Sequence, residues 1–174
     1  MNLQNIFKIL NSKKINKKKT IINKKDNEIK LEKIRKYKEQ LNPPFPVGKS
    51  IVYTKFGEPV LLIKPEDLSE DLLIYRMYIN DDKSFICFQI NLIVDNEVLQ
   101  IADIQVLDKK HFRKGYGTLL LEEAIKLAKY RGLNKVTGWM AYDNQEHHER
   151  QLAFYKNNGF TILEDNLHFE MLIN

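Results

Sequence analysis

The sequence predicts an α/β (α+β) protein with a mixed, mostly antiparallel central sheet flanked by helices. Three observations carry this. Between Leu72 and Val106 three alternating apolar runs follow one another through short polar turns, the pattern of an antiparallel meander. Two amphipathic helical stretches, Thr118–Arg131 and Asn144–Asn158, then alternate with strand-like runs. Finally, 174 residues at 43% hydrophobic and 29% charged suit one globular domain with a sizeable core.

Taken in order, residues 1–25 hold eight lysines and no acid. With a whole-chain charge of +5, the other 149 residues carry a net −3, so the basicity belongs to a tail rather than to the domain at 26–174. That tail is too polar to build a core and reads as disordered or as a frayed helix. Asp26 is placed to cap a helix to about Leu41, stopped by Pro43-Pro44. Gly48-Lys49-Ser50 imitates a phosphate loop, but the first glycine of that motif would fall on Pro43. Ile51-Val52-Tyr53 follows as a strand where a helix is required, so the reading fails.

Ser50–Thr54 and Val60–Ile63 read as short strands around Phe56–Pro59, and Pro65–Asp71 as a helical turn. Leu72–Ile79, Phe85–Val94 and Leu99–Val106 form the meander. After the first helix come a strand at Lys135–Ala141, the second helix closed by Gly159, and strands at Phe160–Leu163 and Leu167–Ile173. The single cysteine, Cys87, lies in an apolar run and reads as a packed thiol. With no secretory signal, no apolar run long enough for a membrane helix and no disulfide, the expected setting is cytoplasmic. No membrane partner is expected.

The most informative stretch is Arg113-Lys114-Gly115-Tyr116-Gly117-Thr118, between a strand and a helix. A strand that turns through two glycines into a helix N-terminus presents several backbone N–H groups and the positive end of a dipole, a site for phosphate. It is a poor dinucleotide fingerprint, since Leu120 stands where a third glycine belongs.

The run from Val106 through Gly115 and Gly117, followed by a helix, a strand and Phe154-Tyr155-Lys156-Asn157-Asn158-Gly159-Phe160, resembles the GNAT superfamily of acyl-CoA-dependent N-acetyltransferases. The resemblance covers about Phe85 to Ile173. It implies acetyl-CoA as co-substrate, with diphosphate contacts from Arg113, Lys114, Gly115, Tyr116, Gly117 and Thr118. It also implies pantetheine contacts from Gln105, Val106 and Leu107. Tyr155 would protonate the departing thiolate, and main-chain N–H groups around Val106–Leu107 would steady the oxyanion.

The family often places a glutamate as general base where this chain has Ile101. Asp103, two residues on and so on the same strand face, is the first candidate. Glu97 is the second, and a water chain the third. Phe112 stands where Gln or Arg is common, and His148 where Asn is common. His148, Gln151 and Tyr155 share a helix face. No metal is expected, because His147 and His148 are adjacent on a helix and point apart. Phe154 and Phe160 read as core, Trp139 and Met140 as core or pocket lining.

The leading expectation is an acetyl-CoA:amine N-acetyltransferase working by direct attack in a ternary complex. The competing one is a non-catalytic CoA-binding or regulatory protein whose lysine-rich tail contacts nucleic acid. The acceptor amine and the oligomeric state are not encoded in any motif.

Overall fold

The computed structural model describes residues 24–81, 84–105 and 109–173. A helix α1 (24–40) precedes five antiparallel strands: β1 (Val47–Tyr53), β2 (Pro59–Pro65), β3 (Leu72–Asp81), β4 (Ser84–Asp95) and β5 (Val98–Gln105). A short 3-10 turn (Lys109–His111) leads to helix α2 (Tyr116–Tyr130), strand β6 (Lys135–Trp139), helix α3 (Gln145–Asn157) and the pair β7 (Thr161–Ile162) and β8 (His168–Leu172). All eight strands form one sheet in the order β1-β2-β3-β4-β5-β6-β8-β7. Only β5 and β6 are parallel, because α2 crosses between them; every other pair is antiparallel.

Alternation along the strands sorts the core onto two faces. Val60 and Leu62 of β2 join Leu73, Tyr75, Met77, Phe88 and Ile90 beneath α2 and α3, whose Leu120, Ala124, Leu127 and Tyr155 complete that layer. Leu61 and Ile63, one residue out of phase, face the other way and pack on Ile34 of α1. Lys49 donates to the carbonyl of Leu41, so the lysine of the false phosphate loop ties down the end of α1 from within β1.

The structure corrects the reading at several points. Helix α1 already includes residues 24 and 25, so Asp26 lies inside it rather than at its cap. Pro65–Asp71 forms no helical turn; β2 runs on to Pro65 and bends follow. Trp139 is 53% exposed while Met140 is buried, because β6 ends there and presents its two faces unequally. Cys87 is half-buried beside Tyr78, on the face that α1 covers, and burial pushes its thiol up. Residues 1–23, Val106, Leu107 and Asp82-Lys83 lie outside the described residues, and with them nearly all of the basic tail.

Candidate active site

The glycine-bearing segment is held in an unusual backbone shape. Arg113 has φ 61° and Gly115 φ 84°, two left-handed residues within three positions. Gly115 is the N-cap of α2 and offers no side-chain cap. Leu119 N–H donates to the Gly115 carbonyl at 3.0 Å, closing the first helical turn. The N–H groups of Tyr116, Gly117 and Thr118 are therefore free of helical partners. Arg113 and Lys114 are exposed beside them. Gly115 answers the left-handed backbone and Gly117 the need for space, since a Cβ on Gly117 would stand 3.0 Å from the Phe154 ring. Phe112 lies under the Arg150 guanidinium, 4.7 Å from its ring centre, which explains an aromatic at that position.

Tyr116 contributes more than its backbone. Its ring is buried and stacks on Phe88 at 5.2 Å, and its hydroxyl donates to Glu58 Oε2 at 2.6 Å. Burial, then that hydrogen bond to a carboxylate, raises its pKa far above the ordinary phenol.

Beside this turn the sheet opens. The parallel pairing of β5 with β6 runs Val98↔Lys135, Leu99↔Val136, Gln100↔Thr137, Ile101↔Gly138, and stops. From Ala102 to Gln105, β5 is bonded to β4 alone. The break coincides with a bulge: Leu92 pairs with Ile101 but its neighbour Asn91 pairs with Asp103, leaving Ala102 as the extra residue.

That bulge overturns the expectation that Asp103 shares a face with Ile101. Ile101 is buried in the α2–α3 core, whereas Asp103 points to the opposite face and is exposed. Gln105 Nε2 donates to Asp103 Oδ2 at 2.8 Å, so these two predicted residues are in contact. Glu97, the second candidate base, sits in the β4–β5 turn and accepts from Asn134. With strands rising about 3.3 Å per residue, it lies roughly 25 Å from the far end of β5, which removes it from this site.

Tyr155 lies on α3, buried and stacked on Phe169 at 3.6 Å. Its hydroxyl has no hydrogen-bond partner among the described residues. Burial, and then the negative charge of Asp103, push its pKa well above the ordinary value. The two predicted catalytic groups belong to opposite faces of the sheet, Tyr155 to the core side under α3 and Asp103 to the other. On the same helix face, the buried atoms His148 Nδ1 and Gln151 Oε1 also lack partners among the described residues. The structure brings Asp103, Gln105, Tyr155 and the segment Arg113–Thr118 to one end of the sheet. Phe160 is buried and Phe154 packs against the core, as expected. Sequence reasoning missed Glu58, which no local motif connects to a residue 58 positions away.

Among the described residues no helix is long and apolar enough to cross a membrane, and no group of three or more His, Cys, Asp or Glu side chains could hold a metal ion.

Comparison with known proteins fits this geometry. No curated protein matches the chain. Among solved structures it is similar to the cAMP-binding acyltransferase of Mycobacterium smegmatis (TM-score 0.54, 14% identity, 74% of this chain and 48% of that one). It is also similar to nourseothricin acetyltransferase (0.50, 19%, 75% and 86%). A third is the PaiA N-acetyltransferase of Thermoplasma acidophilum, solved with coenzyme A (0.48, 21%, 59% and 61%). The chain thus spans less than two thirds of the first and the last of these, and at such identities the likeness is one of fold. Residues 74–162, half of the chain, match the family model described as the acetyltransferase (GNAT) domain, and the chain belongs to the GNAT acetyltransferase family.

Proposed function

We propose that residues 26–174 form an N-acetyltransferase that moves an acetyl group from acetyl-CoA to a primary amine by direct attack in a ternary complex. The observation that carries this is the parting of β5 from β6 beyond Ile101 and Gly138, right beside the uncapped, glycine-lined start of α2. An unpaired strand edge next to a cluster of free N–H groups suits a ligand with an amide-bearing arm and a diphosphate.

Several features fit acetyl-CoA. Arg113–Thr118 would take the diphosphate on main-chain N–H groups and two cationic side chains. Gln105, with Val106 and Leu107, would pair with the pantetheine arm. The orphaned His148 Nδ1 and Gln151 Oε1 give that arm buried polar partners, which removes the cost of leaving them unmade. The co-substrate supplies a thioester whose C–S bond breaks as the C–N bond forms.

Asp103, exposed on the face opposite Tyr155, accepts the proton that the amine must lose. Tyr155, kept protonated by burial, donates to the departing sulfur. Main-chain N–H groups around Val106–Leu107 oppose charge on the carbonyl oxygen.

A second reading, a non-catalytic CoA-binding protein, draws on Ile101, an apolar and buried residue where the family often has its base. Both readings expect the full chain to bind CoA in a calorimeter. Only the first expects thiol release from acetyl-CoA that depends on an added amine. No uptake of CoA would overturn both; uptake without amine-dependent release across a broad amine panel would favour the second.

A further inference from the structure

We propose that Glu58 is a positioning residue for the nucleotide end of this site: by accepting the Tyr116 hydrogen bond it holds the start of α2 in the shape that receives a diphosphate. The inference rests on the acyl-CoA reading above and adds a residue from outside the family match, which begins at residue 74.

Arg113, a non-glycine residue at φ 61°, makes the segment costly to hold, and such backbone persists only where its surroundings over-determine it. The constraint comes from the β1–β2 turn. Glu58 accepts the Tyr116 hydroxyl at 2.6 Å, with Tyr116 only 2% exposed. Thr54, Lys55 and Phe56 line the space over Gly115, at ordinary contact distance (3.4–3.6 Å) from where a Cβ would be. The turn itself is fixed by Gly57 N–H donating to the Thr54 carbonyl at 2.8 Å and by Thr54 N–H donating to the Glu58 carbonyl at 3.0 Å. Glu58 is in turn held from behind. Lys30 of α1 pairs with its other carboxylate oxygen, and Asn27 donates to the Gly57 carbonyl at 2.9 Å.

A chain of contacts therefore runs from α1 through the β1–β2 turn to the first residue of α2. Its last link, Tyr116, carries one of the free N–H groups. If the hydroxyl loses its acceptor, the ring keeps its stacking on Phe88 but the first turn of α2 loses its direct tie to the hairpin.

The test is the dissociation constant for CoA, by calorimetry on the full chain, in wild type, Y116F, E58A and E58Q, with ligand-free melting curves alongside. Y116F removes one oxygen, and E58Q keeps an acceptor for the hydroxyl. Y116F and E58A are expected to bind CoA about tenfold more weakly, with E58Q within about threefold of wild type. CoA binding within twofold of wild type in both Y116F and E58A would overturn the proposal. So would an E58Q protein as weak as E58A, since the hydroxyl's acceptor would then not be what matters. If E58A does not fold, Y116F and E58Q decide between them. A wild-type chain that takes up no CoA would instead overturn the donor reading itself, an outcome separate from equal binding by all four proteins.

Discussion

From Val98 to Ile101, β5 is paired on both edges, and Leu99 and Ile101 are lost in the core. From Ala102 to Gln105 it is paired with β4 alone, and Asp103 and Gln105 face solvent. One strand is thus a structural rod for half its length and an open edge for the other half. The change takes one extra residue, Ala102, and one partner, Gly138, at which β6 makes its last pair with β5. The lesson is that a binding edge need not lie at the margin of a sheet. It can be opened in the middle, where a bulge turns one strand away from its neighbour and long pairings on either side keep the fold intact.

The sharpest way to break this comparison is at the open half. Tyr155→Phe should lower amine-dependent thiol release by ~10²–10⁴-fold while CoA binding stays within a few-fold of wild type. A rate within a few-fold of wild type would mean the opening holds no acid at that position. Asp103→Asn removes the proposed base and should cost about 10²-fold in the same assay, with the melting midpoint unchanged because the side chain is exposed.

The closed half should answer in the opposite currency. A Cβ on Gly138 would meet the Phe169 ring and stand 2.8 Å from the Ile101 carbonyl oxygen. Gly138→Ala should therefore destabilise the protein by ~1–3 kcal/mol in denaturant unfolding. Unchanged stability would show that the two strands are already parting before Ile101, and the division drawn here would move.

The smallest effect concerns pH. Burial is the first cause of the raised tyrosines, with Tyr75 and Tyr78 pushed up to about 12. Their folded values lie above the unfolded phenol near 10, so their contribution is complete below about pH 10 and is lost as pH rises through 12. Melting midpoints should be flat to about pH 9 and fall beyond 10. Tyrosinate absorbance from the buried Tyr75 ring should rise only as the chain unfolds. A midpoint flat to pH 12 would contradict this.

Much of the fold was legible. The meander, both C-terminal helices and the closing strands follow from alternation and helical spacing, and Gly132 and Gly159 do end their helices with positive φ. The proposed diphosphate segment was legible as a glycine turn into a helix because its determinants are local: two glycines, two cations and a helix start. Tyr155 shares its helix face with His148 and Gln151 as the spacing required, and all three carry buried atoms. Even the bulge left a trace, since the apolar alternation Leu99, Ile101 resumes at Ile104 rather than at 103. Alternation by itself nevertheless put Asp103 on the wrong face, because a single inserted residue reverses every side chain beyond it.

Short-range physics along the chain is therefore enough to say where strands and helices lie and that a glycine turn leads into the start of α2. What only the tertiary structure decided is which residues meet across distance. The Glu58–Tyr116 bond and the point at which β5 leaves β6 both depend on strand register and on the layering of helices over two faces. Those contacts are made between residues tens of positions apart, and no periodicity along the chain records them.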